Sequence, residues 1–222
     1  SHTMNERYLV VGSGSGVDSW WSENKQQVIR EKWKIIPINN AWKLVGVENI
    51  HLWMVPLDYY CRGSFVISDE EMESINMILI SGPPEDSPAS VLRSGSQATI
   101  RRPNDSSAQF PDDIKYVDLD GKSGTMFVNT VIYLMQILHT RRHEVDICIV
   151  GSDFDYSQTE NTHWYSDIPG NKAENDPMRY GQEWLVGELD NLKHLRDKYK
   201  YNIYNYSDNP NTLLPFDKQT CE

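Results

Sequence analysis

The sequence predicts an α/β protein, a mostly parallel sheet with helices on both faces. Three observations lead there. Short apolar runs recur along the chain, at 8–11, 33–38, 51–55, 76–80, 145–150 and 201–206, each of a length that suits a strand rather than a helix. Segments with helical spacing alternate with them, and alternation of this kind builds parallel sheets. Polar residues then fall just after the strands: Ser13, Ser15, Asn39, Asn40, Asp58, Ser81, Asp153 and Asp155, with Ser123 before the most apolar helix. In such sheets ligands bind at the carboxyl ends of strands, so these residues predict one composite pocket. The competing explanation is that loops are polar wherever they occur.

The first strand, 8–11, is four apolar residues that break into Gly12-Ser-Gly-Ser-Gly16 and then a helical pattern from Val17 to Lys32. A buried strand, a glycine turn and a helix N-terminus together form a common phosphate site: glycine lets the backbone approach, and the helix start offers N–H groups. The spacing is neither the dinucleotide GxGxxG, since position 17 is valine, nor a P-loop, since no Gly-Lys-Ser/Thr follows. The simpler account is a turn that needs a positive φ.

A second strand over 33–38 stops at Asn39-Asn40, and 40–45 reads as a loop or short helical turn. Strands follow at 51–55 and 76–80, the latter ending at Ser81-Gly-Pro-Pro84. Residues 84–112 are rich in Ser, Pro, Asp and Gly and are expected to form a long irregular loop. Residues 114–118 read as a further strand. From Lys122-Ser-Gly-Thr125 a helix opens whose Phe127, Val128, Val131, Ile132, Leu134, Met135 and Leu138 are apolar on more than one face, the pattern of a helix buried against a sheet. The strand at 145–150 runs into Gly151-Ser-Asp-Phe-Asp155 and a polar loop to about Asp176. Leu185, Leu189, Leu192 and Leu195 mark an amphipathic helix over 184–198, the last strand is 201–206, and 207–216 is a Pro- and Asn-rich tail.

Ser1-His-Thr3 ahead of Met4 reads as a vector remnant, and 4–222 is of the size of a single domain. Seven Trp and twelve Tyr supply bulk for a core. The chain carries 21 basic and 32 acidic residues, net −11, a balance that argues against unspecific nucleic-acid binding. Three widely spaced cysteines, Cys61, Cys148 and Cys221, fit a reducing, cytoplasmic setting and form no zinc motif. No apolar run reaches the length of a membrane span.

The order of these motifs resembles a known family. Val10-Val-Gly-Ser-Gly-Ser15 is similar to the Gly-Asn-Gly-Pro-Ser turn of bacterial sialyltransferases built on one modified Rossmann domain, and to the related domain of motility accessory factors, read as flagellin glycosyltransferases. Ile36-Pro-Ile-Asn-Asn40 resembles their second strand, which ends in an Asn that contacts the nucleotide. Lys122-Ser-Gly124 resembles their Thr-Ser-Gly. Ile149-Val-Gly-Ser-Asp-Phe-Asp-Tyr156, followed by His163, is similar to Gly-x-Asp-Leu-x-Tyr…His of the motility factors. The final strand and 211–216 resemble the family's terminal strand and loop. Ser13 stands where the family has a nucleotide-binding Asn, and Lys122 replaces its Thr.

The resemblance implies a Rossmann-like glycosyltransferase that moves a sugar from a CMP- or UDP-activated donor to a hydroxyl of a glycan, a protein or modified nucleic acid. Gly12, Ser13, Gly14, Ser15, Ser123 and Gly124 would hold the nucleotide, and Asn39 or Asn40 would bond base or ribose. Tyr156 and Tyr165 would steady the leaving phosphate without an obligatory metal, and His163 would be the general base, a role suited to a group that titrates near neutrality. Asp153 is the carboxylate expected beside them. Asp153-Phe-Asp155, like Asp118-Leu-Asp120, is also an Asp-x-Asp that could hold a divalent cation on a diphosphate. Two readings from other classes are a nucleotide-dependent pyrophosphokinase-like enzyme and a non-catalytic nucleotide- or glycan-binding module using Trp20, Trp42 and Trp164 as platforms.

Overall fold

The computed structural model describes residues 4–56, 59, 64–81, 125–155, 162–168 and 182–222. The expected loop at 84–112, the strand at 114–118, Asp58, Asp118, Asp120, Lys122, Ser123, Gly124 and Tyr156 lie outside the described residues. The sheet is organised on β1 (Glu6–Val11), where Tyr8, Leu9, Val10 and Val11 are all buried. β1 pairs in parallel with β2 (Lys34–Pro37) on one side and with β5 (Val145–Val150) on the other, with Val11 opposite both Pro37 and Val150. Beyond β5 come β6 (Asn202–Asn205) and a two-residue edge strand, β7 (Asp217–Lys218), again parallel. Beyond β2 lies the parallel pair β3 (Trp53–Pro56) and β4 (Ile78–Ser81). Parallel bridges from Ile35 to Ile50 and from Ile38 to Met54 join the two sheets.

Side chains on a strand alternate between faces, so a strand apolar at every position needs cover on both. Tyr8 and Val10 pack into one core with Val131, Leu134 and Leu138 of α4 (Met126–Leu138) and Leu189, Leu192 and Leu195 of α5 (Gln182–Tyr199). Leu9 and Val11 pack into the other with Val17, Trp21 and Val28 of α1 (Val17–Arg30), Trp42 and Val45 of α2 (Ala41–Val45) and Met72 of α3 (Asp69–Glu73). The expected α/β class, the parallel sheet and helices on both faces are present. α4 is buried nearly all round, and Thr125 caps it by accepting from the Val128 N–H at 3.1 Å. α3 was not expected, although Ser68 and Glu71 form a reciprocal capping box that is written in the sequence. β7 was also missed: it is short, exposed and polar.

The topology fixes where a ligand fits. From β1 the chain walks outward through β2, β3 and β4, then returns to the far side of β1 as β5 and walks the other way. The helices that follow β1 and β5 therefore lie on opposite faces of the sheet, and the carboxyl edge between these strands is the topological switch point. No helix among the described residues is long and apolar enough to cross a membrane.

Candidate functional site

At the switch point the β1 and β5 loops meet backbone to backbone. A Cβ on Gly12 would fall 2.2 Å from Ser152 Oγ and 2.3 Å from the Gly151 carbonyl oxygen, and one on Gly14 would fall 2.8 Å from that oxygen. Gly151 has φ +76 and Gly16 has φ +86, so both also need glycine for the backbone itself. The Gly12 N–H donates to Val150 O at 2.8 Å and the Gly14 N–H to Gly151 O at 2.8 Å. The next two bonds come from 162–164, which lies antiparallel to the turn: Ser15 N–H donates to Thr162 O at 3.1 Å, and Trp164 N–H to Ser13 O at 3.1 Å. This corrects the phosphate-cradle expectation. Gly12 and Gly14 serve close packing, and the N–H groups of Gly12, Gly14 and Ser15 already have protein acceptors.

Beside this seam lies a cleft of about 180 Å³. Its walls include Ser13, Ser15 and Asn39, Thr125 and Met126 from the start of α4, Asp153 and Asp155 from the β5 loop, Thr162 and His163, and Asn209. Residues from six separate stretches of chain thus converge at one sheet edge, as expected for Gly12, Ser13, Gly14, Ser15, Asn39, Asp153 and His163. Two polar atoms at the cleft, Ser13 Oγ and Asn39 Oδ1, are buried with no partner among the described residues. Buried polar atoms are normally hydrogen-bonded, so these two set the cleft wall apart from the core around it.

The neighbouring asparagines divide. Asn39, at φ +51, is fixed by its backbone: N–H to Met54 O at 3.0 Å, and O accepting from Trp53 Nε1 at 2.9 Å. Asn40 is buried away from the cleft and fully engaged. Its amide donates to the Tyr165 hydroxyl at 3.0 Å and to Ser64 Oγ at 3.3 Å, and its oxygen accepts from the Tyr59 hydroxyl and the Ser64 N–H, each at 3.0 Å. Burial pushes the Tyr59 hydroxyl up to about 12, so it stays a neutral donor in this network. Tyr165 is 5% exposed and does not line the cleft, so the structure does not bring its hydroxyl to the expected phosphate position. Trp42 is 1% exposed, a core residue and not a platform.

Sequence reasoning missed the contribution of the tail. Asn205, Ser207, Asn209 and Thr212 each accept, through a side-chain oxygen, the N–H two residues on, a run of turns that stiffens the loop after β6. The first three also reach the β5 loop. Asn205 Nδ2 donates to Asp153 Oδ1 at 3.2 Å, Ser207 Oγ to Asp153 Oδ2 at 2.5 Å, and Asn209 Nδ2 to Asp155 Oδ2 at 3.0 Å. The signal was present as Asn and Ser at alternate positions from 205 to 211. Asp153 is 7% exposed, and its two oxygens accept from two different donors.

His163 stands in the wall with Nδ1 2.9 Å from Thr162 Oγ1, its N–H donating to Ser166 Oγ at 3.2 Å and its ring 5.1 Å from that of Tyr165. Among the described lining residues there are two carboxylates and no Lys or Arg. No group of three or more His, Cys, Asp or Glu among the described residues is arranged to hold a metal ion.

Fold and site together define an α/β protein with a polar cleft at a topological switch point. No family model, no curated protein and no solved structure matches the chain.

Proposed function

We propose that the chain is a glycosyltransferase on a Rossmann-like domain, moving a sugar from a CMP- or UDP-activated donor to a hydroxyl acceptor. The observation that carries this reading is the convergence of Ser13, Asn39, Asp153 and His163 on one cleft. These residues come from three of the stretches that resemble the sialyltransferase-like family, the one with Asp153 also holding His163. Asn39 and Ser13, which line the cleft, would bond the nucleotide, which enters as substrate. His163 would take the acceptor proton while the bond from the anomeric carbon to the donor phosphate breaks. Asp153 would act indirectly, holding the β5 loop against the tail.

Melting the protein with CMP, UDP, GDP and ATP, each with and without a divalent cation, tests the reading, since a ligand bound only by the native state raises the melting temperature. One of the pyrimidine nucleotides is expected to give the largest rise, and no rise with any nucleotide overturns the reading. His163→Ala is then expected to slow transfer by about 10²–10⁴-fold with nucleotide affinity within a few fold. A wild-type rate in that variant removes His163 from the chemistry.

One observation favours a second reading. Asp153 and Asp155, with no Lys or Arg among the described lining residues, give the cleft two carboxylates, which suits a cation-assisted, pyrophosphokinase-like use of a nucleotide. A melting response to ATP that depends on the divalent cation supports it over the first.

A further inference from the structure

We infer that Asn40 is a positioning residue for His163 and acts through Tyr165: the buried amide anchors the tyrosine hydroxyl, and the tyrosine ring supports the imidazole. The inference rests on the reading of His163 as the acceptor base and adds what holds the loop that carries it. Neither Asn40 nor Tyr165 lines the cleft, so neither meets the ligand in this role.

The direction of the bonds in the anchor follows from groups that have no choice. The Ser64 backbone N–H can only donate, and it reaches Asn40 Oδ1 at 3.0 Å. That fixes which end of the amide is oxygen and which is nitrogen. The nitrogen end only donates. It lies 3.0 Å from the Tyr165 hydroxyl oxygen and 3.3 Å from Ser64 Oγ, so both of these oxygens accept. Asn40 Oδ1 also accepts from the Tyr59 hydroxyl at 3.0 Å, and the Tyr59 oxygen accepts from Trp42 Nε1 at 2.5 Å. Asn40, Tyr59 and Tyr165 are all buried. Turning the amide over would set its NH₂ against the Ser64 N–H and leave buried groups unpaired, a costly arrangement out of water. The amide therefore holds one orientation.

From the anchor to the cleft is one contact. The His163 imidazole lies 5.1 Å from the Tyr165 ring, tilted 34° to it. Both residues belong to one run of turns, in which the Ser166 N–H donates to His163 O and the Ile168 N–H to Tyr165 O, each at 3.1 Å. The Phe65 ring stands at 83° to that of Tyr165, 5.6 Å away. Phe65 follows Ser64, so the segment that orients the amide also braces the tyrosine. Asn39, one residue before Asn40, lines the cleft itself. The end of β2 thus serves the cleft twice, at its wall and through His163. An imidazole displaced by about 1 Å loses the geometry that proton transfer requires.

The test needs neither donor nor acceptor. In protein labelled with ¹³C-histidine, the ring signals of His163 depend on its distance and tilt to the Tyr165 ring, and they are identified as those lost in His163→Gln. Asn40→Ala alters neither ring. It is expected to shift the His163 signals and leave those of His51 and His139, at the opposite edge of the sheet, in place. Tyr165→Phe keeps the ring and deletes the hydroxyl. It is expected to shift the His163 signals too, and Asn40→Ala added to it is expected to shift them no further. Unmoved His163 signals in Asn40→Ala overturn the inference, and if that variant fails to fold, unmoved signals in Tyr165→Phe do so alone. Equal movement of His51, His139 and His163 overturns it as well, since the amide then serves the fold at large. Melting shifts with CMP or UDP alongside unmoved signals defeat this inference and leave the nucleotide reading standing. The expected movement without any nucleotide response defeats the functional reading, and with it the base role that the anchor serves.

Discussion

Gly12 has no room for a side chain, and the atoms in its way do not all belong to flexible groups. Ser152 Oγ could rotate aside, but the Gly151 carbonyl oxygen, 2.3 Å from where Cβ would stand, is backbone. Gly12→Ala is expected to cost roughly 3 kcal/mol or more, the upper end of overpacking, because β1 and β5 must separate to admit it. Gly187 is the opposite case. It lies in α5 with nothing within 4 Å of its would-be Cβ. Gly187→Ala is therefore expected to stabilise by about 0.5–1 kcal/mol, since alanine loses less backbone entropy in a helix. Urea midpoints at unchanged slope measure both, and equal effects of the two substitutions would show that the seam between the loops is looser than its geometry.

At the scale of elements, the tail after β6 works as a clamp. Asp153 is buried, and its charge is matched by donors from Asn205 and Ser207, both on the tail side. Removing a donor from a buried carboxylate leaves an oxygen without compensation, a loss of about 1.5–3 kcal/mol for a bond to a charged group. Ser207→Ala is expected to destabilise by that amount. A double-mutant cycle with Asp153→Ala should give a coupling above about 1 kcal/mol, because the two side chains form one bond. Additivity within about 0.5 kcal/mol would mean that the short contact is incidental. The sheet's opposite edge responds to acid. Burial and then Lys34 lower the His51 pKa, and burial and then Arg142 lower that of His139. A lowered histidine favours the neutral form in the fold, so its stabilisation is complete above the unfolded value near 6.5 and is lost as pH falls through the folded value. The melting temperature is expected to fall as pH drops below about 6.5. The fall should be smaller in a His51→Leu, His139→Gln variant, and an identical fall in both proteins refutes the assignment.

For the whole molecule, the parallel sheet was legible because β1 and β5 are apolar at consecutive positions, which only two-sided burial explains. The convergence of Ser13, Asn39, Asp153 and His163 was legible for a related reason, since parallel strands put all their carboxyl ends on one edge. What stayed hidden depended on distances between loops. The role of Gly12 comes from Gly151, which is far away in sequence and becomes its neighbour only through β1–β5 pairing. Asn39 and Asn40 are adjacent and chemically alike, and they separated because the αL turn at Asn39 aims one at the cleft and one at Tyr165. The tail read as a Pro- and Asn-rich end because its apolar residues, Leu213, Leu214 and Phe216, are few, whereas its order comes from side-chain to backbone bonds with no apolar periodicity.

The glycine seam also sets what this molecule could become. At positions 12, 14 and 151 the alphabet of tolerated residues is nearly a single letter, whereas Ser13 and Ser15 in the same turn line the cleft without that packing constraint. Letters that hold the two loops together thus alternate with letters that put a side chain at the cleft. A lineage, or a library in the laboratory, can rewrite the second set at 13, 15 and 39 and vary the chemistry of the cleft while the scaffold that presents it is inherited intact.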